Sequence, residues 1–141
     1  MPAPKVAASV RRIFGEDATA TPLVVNADTA FRVARADTVL GFAVVREVKG
    51  KDQPITFLVA TDTADRLRDI DILVYREPYG GEVAYDAWRR QFRGKSSGDA
   101  LQVGRDIRTI SGATISVNAV TLGVRKALSD LTAWHQSGAL R

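Results

Sequence analysis

Hydroxyl groups, small residues and the start of a helix meet at Thr109-Ile110-Ser111-Gly112-Ala113-Thr114-Ile115-Ser116. From Ile115 onward the apolar residues fall at Val117, Val120, Val124, Ala127, Leu128 and Leu131, the steps of three and four that mark one face of a helix. A helix start exposes unpaired backbone N–H groups and the positive end of the helix dipole, so it suits an anion. Gly112 and Ala113 let a bulky phosphate approach the backbone, and Ser111, Thr114 and Ser116 offer hydroxyl contacts. The stretch reads as a phosphate seat. The plainer alternative is a helix that uses Ser and Thr only to cap itself.

Other residues with chemical potential carry less. Glu77 and Glu82 share one loop with no sugar-binding aromatic set, which argues against paired-carboxylate glycoside hydrolysis. Asp69 and Asp71 alternate with Ile70, Ile72 and Val74 and read as the wet face of a strand. The lone His135 falls near a helix C-terminus and reads as structural or solvated. Arg89, Arg90, Arg93 and Lys95 form the densest group of cations, either a solvated helix face or a docking surface for an acidic partner or an anionic membrane. The absence of cysteine excludes disulfides, thiol catalysis and iron–sulfur ligation, and with one histidine no metal site is expected.

The elements that would position the seat follow from periodicity. Lys5 to Phe14 predicts a short helix ended by Gly15, and Glu16 to Pro22 a polar connector. Leu23–Val25 and Phe31–Ala34 are short candidate strands. Thr38–Val48, Ile55–Thr61 and a strand through Ile70, Ile72 and Val74 are clearer, and their short turns predict an antiparallel meander. Tyr85, Trp88 and Phe92 recur at helical spacing, so Val83 to Phe92 is expected to be a helix with an aromatic face. The long last helix runs to about Trp134. At 141 residues, 45% apolar and 26% charged, the chain is one compact unit: an N-terminal helix and connector over residues 1–22, then a main domain over 23–141. The fold class expected is α+β, a curved antiparallel sheet packed against helices, with the phosphate-binding turn before the long C-terminal helix.

Ser111-Gly112-Ala113-Thr114 followed by Ser116 resembles the flavinylation motif of the FMN-binding domain family. Tyr75-Arg76-Glu77-Pro78-Tyr79-Gly80-Gly81-Glu82 is similar to that family's Glu- and Gly-containing loop, and Gln91-Phe92-Arg93-Gly94-Lys95 to the segment that follows in stand-alone members. Members occur as subunits of sodium-translocating NADH:quinone reductases and Rnf complexes, in nitrous-oxide-reduction regulators, and as small extracytoplasmic flavoproteins. The resemblance implies FMN as cofactor, joined by a phosphodiester bond to Thr114 by a flavin transferase that uses FAD. It further implies that Ser111, Gly112, Ala113, Thr114, Ile115 and Ser116 hold the phosphate end. The ring would lie by Glu77, Tyr79, Gly80 and Gly81, with Trp88 as a further contact. One position departs: the family often has an acidic residue three places before the motif serine, where this chain has Arg108. That bears more on covalent attachment than on flavin binding.

The expected function is thus a small electron-transfer flavoprotein with membrane-associated or soluble redox partners and no nucleic acid. An extracytoplasmic location follows from the resemblance. The sequence itself shows no apolar run of membrane-span length, hence a soluble chain, and no signal peptide, since Met1-Pro2-Ala3-Pro4 leads straight into charged residues. Two other classes stay open: an FMN-dependent reductase that binds flavin reversibly, although no strand is followed by Gly-x-Gly-x-x-Gly, and a cofactor-free basic binding module.

Overall fold

The computed structural model describes residues 3–140. Five strands, β1 (Thr19–Val25), β2 (Asp28–Arg35), β3 (Thr38–Lys49), β4 (Pro54–Asp62) and β5 (Leu67–Tyr75), form one antiparallel sheet in chain order, so the meander expected from three strands extends to five. β1 begins inside the stretch read as a connector. Its pairing with β2 starts at Thr19↔Ala34, and this cross-strand partner explains why a polar segment is extended.

Both faces of the sheet are covered. Helix α1 (Ala3–Phe14) places Val6, Val10, Ile13 and Phe14 on one face, against Val33, Ala43, Leu58 and Ala60. Helix α3 (Thr114–Gln136) lays Val117, Val120, Val124 and Leu128 on the other, against Phe42, Val44, Phe57 and Val59. β4 is therefore buried from Ile55 to Thr61, and its alternate residues feed the two cores. Gly123 marks where α3 lies closest to the sheet, since a Cβ there would stand 2.6 Å from the Phe57 ring and 2.7 Å from Val48. No helix among the described residues is long and apolar enough to cross a membrane.

Neither edge of the sheet is bare. β1 carries Pro22, which has no N–H to offer a further strand. Along β5 the backbone of Leu67 bonds Lys95 and Gly94, the Ile70 carbonyl accepts from Arg89 (2.8 Å), and the Leu73 carbonyl accepts from Lys5 (3.0 Å).

The expected helix from Val83 to Phe92 is three short pieces: a 3-10 turn (Gly81–Ala84), α2 (Asp86–Arg89) and a second 3-10 turn (Arg90–Phe92). Tyr85 breaks the run, because its backbone is extended (φ −75°, ψ 140°). Trp88 and Phe92 are buried edge to face at 5.1 Å, while Tyr85 is exposed. These pieces also overturn two expectations about charge. Asp69, read as solvated, is buried, and its carboxylate meets Arg89 (3.2 Å), Arg93 (3.2 Å) and Arg12 (3.3 Å). Arg89 is itself buried against Asp69, while the more exposed Arg93 reaches both Asp69 and the surface carboxylate of Asp86, and Arg90 stays exposed. Hydrogen bonding to Asp86 foremost, then to Asp69, raises the Arg93 pKa. Lys95 pairs with Asp106 at 3.4 Å. His135 joins α3 to the β4–β5 turn, bonding Asp65 at 2.6 Å beside the Phe42 ring.

Removing the Asp69 carboxylate leaves a buried guanidinium without its main counter-charge, which costs about 3–5 kcal/mol. Asp69→Ala should therefore lower the urea midpoint strongly, whereas Asp71→Ala, which loses a 3.5 Å contact to half-exposed Arg12, should stay within about 1 kcal/mol. Equal losses in the two variants would contradict this reading.

Candidate functional site

Three segments far apart in sequence wall one cavity of about 420 Å³: the β3–β4 turn at Lys51 and Asp52, the loop Glu77–Gly80 after β5, and the start of α3 at Gly112–Ser116. The strand register brings them together. Lys49↔Pro54 closes the β3–β4 hairpin, and Ile55↔Tyr75 sets the end of β5 beside it.

Helix α3 opens without a cap. Its N-cap residue is Ala113, no side chain caps the turn, and the first backbone bond runs from Val117 N–H to the Ala113 carbonyl (2.9 Å). The N–H groups of Thr114, Ile115 and Ser116 precede that bond, so the positive end of a 23-residue helix faces the cavity with donors to spare. The alternative of a self-capped helix is excluded, because none of the hydroxyls caps it. Thr114 is exposed, and its hydroxyl makes no hydrogen bond among the described residues; its carbonyl accepts from Asn118 (3.0 Å). Gly112 takes φ +80°, the left-handed conformation that aims the chain into the helix.

The loop is tied to the helix by one hydroxyl. Tyr75 Oη donates to the Tyr79 carbonyl and lies 2.7 Å from Ser116 Oγ. Gly80 sits under this contact at φ +86°, where a Cβ would run into Tyr75 Oη and approach Ser116 Oγ to 2.9 Å. The loop is tied to the turn by one carboxylate. Glu77 Oε1 accepts from the N–H of Asp52 (2.5 Å) and Gln53 (2.7 Å). Those two bonds, then the nearby Lys51 charge, hold the Glu77 pKa below the ordinary carboxylate value.

Of the residues singled out in the sequence, Glu77, Tyr79 and Gly80 line this cavity together with Gly112, Ala113, Thr114, Ile115 and Ser116. Ser111 is exposed immediately before that lining. Gly81 lies behind it, against the Tyr75 ring. Trp88 lines an adjoining cleft with Tyr85 and Arg108, and its indole N–H donates to the Arg108 carbonyl at 2.8 Å. The Ser116 hydroxyl is committed to Tyr75 and not open to a ligand. Tyr79 is 81% exposed, a ring with one face to offer.

Residues 50–129 match the model of the FMN-binding domain family. This chain belongs to that family. It is also 31% identical over 110 residues to one component of the proton-translocating ferredoxin:NAD(+) oxidoreductase complex of Clostridium ljungdahlii, an alignment that covers 72% of this chain and 59% of that relative. The chain thus spans less than two thirds of that protein's length. FMN is the cofactor of this domain, and the cavity suits it. An uncapped helix start supplies N–H donors for a phosphate, and glycine at position 80 keeps the wall free of a Cβ.

Lys51 and Asp52 are the parts of the site that the sequence alone did not single out, while Tyr75 and Pro78 stood in the loop segment without a role of their own. Tyr75 carried one local signal, an aromatic with a hydroxyl at a strand end two residues before Glu77. Lys51 carried none, since only strand pairing brings it to the cavity.

Gly80→Ala meets both a strained backbone and a filled space, while Gly112→Ala meets the backbone term alone, because nothing lies within 4 Å of its Cβ. The first should cost about 2–3 kcal/mol and weaken FMN retention; the second should cost about 1 kcal/mol in urea unfolding. A second check concerns acid. With its folded pKa depressed, Glu77 contributes stability at neutral pH. That contribution starts to fall near the unfolded glutamate pKa and is gone once pH drops below the folded one. In an NMR titration the Asp52 and Gln53 amide signals should move with the Glu77 carboxyl, at a pH below that of an exposed glutamate.

Proposed function

We propose that this protein is a small electron carrier holding FMN in the cavity at the start of α3, linked through a phosphodiester to Thr114. The observation that carries the reading is the uncapped helix start opening beside an exposed threonine hydroxyl with no hydrogen-bond partner among the described residues. In the attachment step the Thr114 oxygen forms a bond to the phosphorus of the FMN half of FAD. The pyrophosphate bond breaks, AMP leaves, and the hydroxyl proton is released; a flavin transferase supplied by the cell catalyses the exchange. The diester keeps one negative charge, which the N–H groups of Thr114, Ile115 and Ser116 and the helix dipole stabilise.

When bound, FMN supplies the electron exchange itself. The chain supplies placement. Tyr75 and Glu77 fix the loop against helix and turn, Pro78 and Tyr79 offer a wall to the ring, and Lys51 brings a positive charge to the cavity that favours uptake of electrons. The relative's name, which places it in a proton-translocating oxidoreductase complex, supports membrane-associated redox partners; the extracytoplasmic position rests on the family resemblance alone. Arg108 in the place of the acid favours a second reading, in which the same residues hold FMN without the bond.

Intact mass after denaturation separates the two, measured on protein coexpressed with a flavin transferase. A gain equal to FMN minus water, lost in Thr114→Val, is the expected result. An unmodified mass with FMN released on denaturing would replace the covalent reading by the second, and a colourless chain would overturn both.

A further inference from the structure

Lys51 lines the cofactor cavity itself, and a separate set of cations lies on the segment that leads to α3 and on α3. Arg105, Arg108 and Arg125 are exposed, and none of them pairs with a carboxylate among the described residues. They border one surface. Arg125 lines a cleft with Gln102 and Val103, on the loop that carries Arg105. Arg108 follows on the same segment, three residues before Ser111. Its backbone N–H donates to Gln91 Oε1 (2.7 Å), which sets Arg90, likewise exposed, alongside.

The loop beneath these arginines is built as a rigid platform. Leu101 and Ile107 anchor it in the core at 1% exposure each. Between them the Gln102 carbonyl accepts from the N–H groups of Arg105 (3.1 Å), Asp106 (3.2 Å) and Ile107 (3.2 Å). Asp106, the acid nearest the arginines in sequence, is turned inward. Its carboxylate accepts from Leu101 N–H (3.0 Å) and Gln102 N–H (2.8 Å) and pairs with Lys95. Burial opposes its charge, but those N–H groups and Lys95 outweigh it and hold the pKa below the ordinary value. The loop thus keeps its own negative charge occupied and presents its positive charges outward.

We infer that the band Arg105–Arg108–Arg125 is the docking face for an acidic redox partner protein. The cations of this band are arginines without exception, whose planar forks match carboxylates and which are enriched at protein interfaces where lysine is depleted. The amphipathic Tyr85 (64% exposed) and the apolar Leu122 (55%) flank the band as isolated contacts. Ile115 (52% exposed) also stands on this side of α3, seven residues before Leu122, but these separate side chains among the described residues do not make the contiguous apolar face that insertion into a lipid surface needs. A preordered loop also reduces the cost of fixing side chains on binding. That a partner seated here lies beside the flavin rests on the function proposed above; the binding does not.

The test uses the full chain, a fluorescent decaglutamate peptide as probe, and phosphatidylcholine–phosphatidylglycerol vesicles as the competing surface. Arg105→Glu/Arg125→Glu is compared with Arg11→Glu/Arg35→Glu, which makes the same change in net charge at exposed positions elsewhere. Arg105→Gln/Arg125→Gln serves as the milder version, and unfolding midpoints confirm that each variant folds. The band variant should bind the peptide at least tenfold more weakly while the distant one changes less than twofold, and wild-type affinity should fall steeply with salt. Equal losses in both variants would reduce the band to diffuse charge and overturn the proposal. Band-dependent binding to vesicles but not to peptide would overturn it in favour of a membrane. Flavin absorbance recorded on the same samples reports separately on the cofactor reading, so that either can fail alone.

Discussion

A single phenol hydroxyl joins two walls of the cavity at the start of α3. Tyr75 ends β5, and its oxygen contacts both the Tyr79 carbonyl of the following loop and Ser116 Oγ in the first turn of α3. These segments are forty-one residues apart at their hydroxyl contact. Tyr75 can make this contact because the sheet register fixes its position through Ile55↔Tyr75, and because α3 is held close to the sheet where Gly123 meets Phe57 and Val48. A helix that packed further out would carry Ser116 away from Tyr75. The small residue in the middle of the helix and the hydroxyl at its start therefore belong to one geometric condition.

Charge in this chain is organised by depth. The arginines that look most conspicuous in sequence, Arg89 and Arg93, converge on Asp69 and bind α2 and its neighbours to the edge of the sheet. This explains how four-residue and three-residue helical pieces, too short to be stable alone, keep a fixed place. The excess of positive charge in the net balance of +4 is then left to scattered surface residues, among them those beside the cofactor seat.

Much of this was legible from pattern. The alternation in β4 and β5 and the steps of three and four along α3 gave all three elements to within a few residues, since each has one uniform environment on each face. The FMN-binding family was legible from the motif around Ser111–Ser116, and the helix start that the motif opens lies where the periodicity put it. Legibility failed where a distant partner decides. Tyr85 sits at helical spacing with Trp88 and Phe92, yet Trp88 is drawn to the Arg108 carbonyl and the chain turns at Tyr85 to allow it. Asp69 alternates like a solvated residue, and only the folding of α2 over β5 encloses it. Lys51 belongs to a hairpin turn that looks ordinary until Glu77, twenty-four residues from Gln53, caps it.

The closed edges of the sheet have a consequence for assembly. With Pro22 on one border and β5 bonded by Gly94, Lys95, Arg89 and Lys5, the sheet offers few free backbone groups to an added strand. Association through side chains laid on an unaltered scaffold is favoured instead. Such encounters exchange no backbone pairing, so they form and dissolve without refolding either protein.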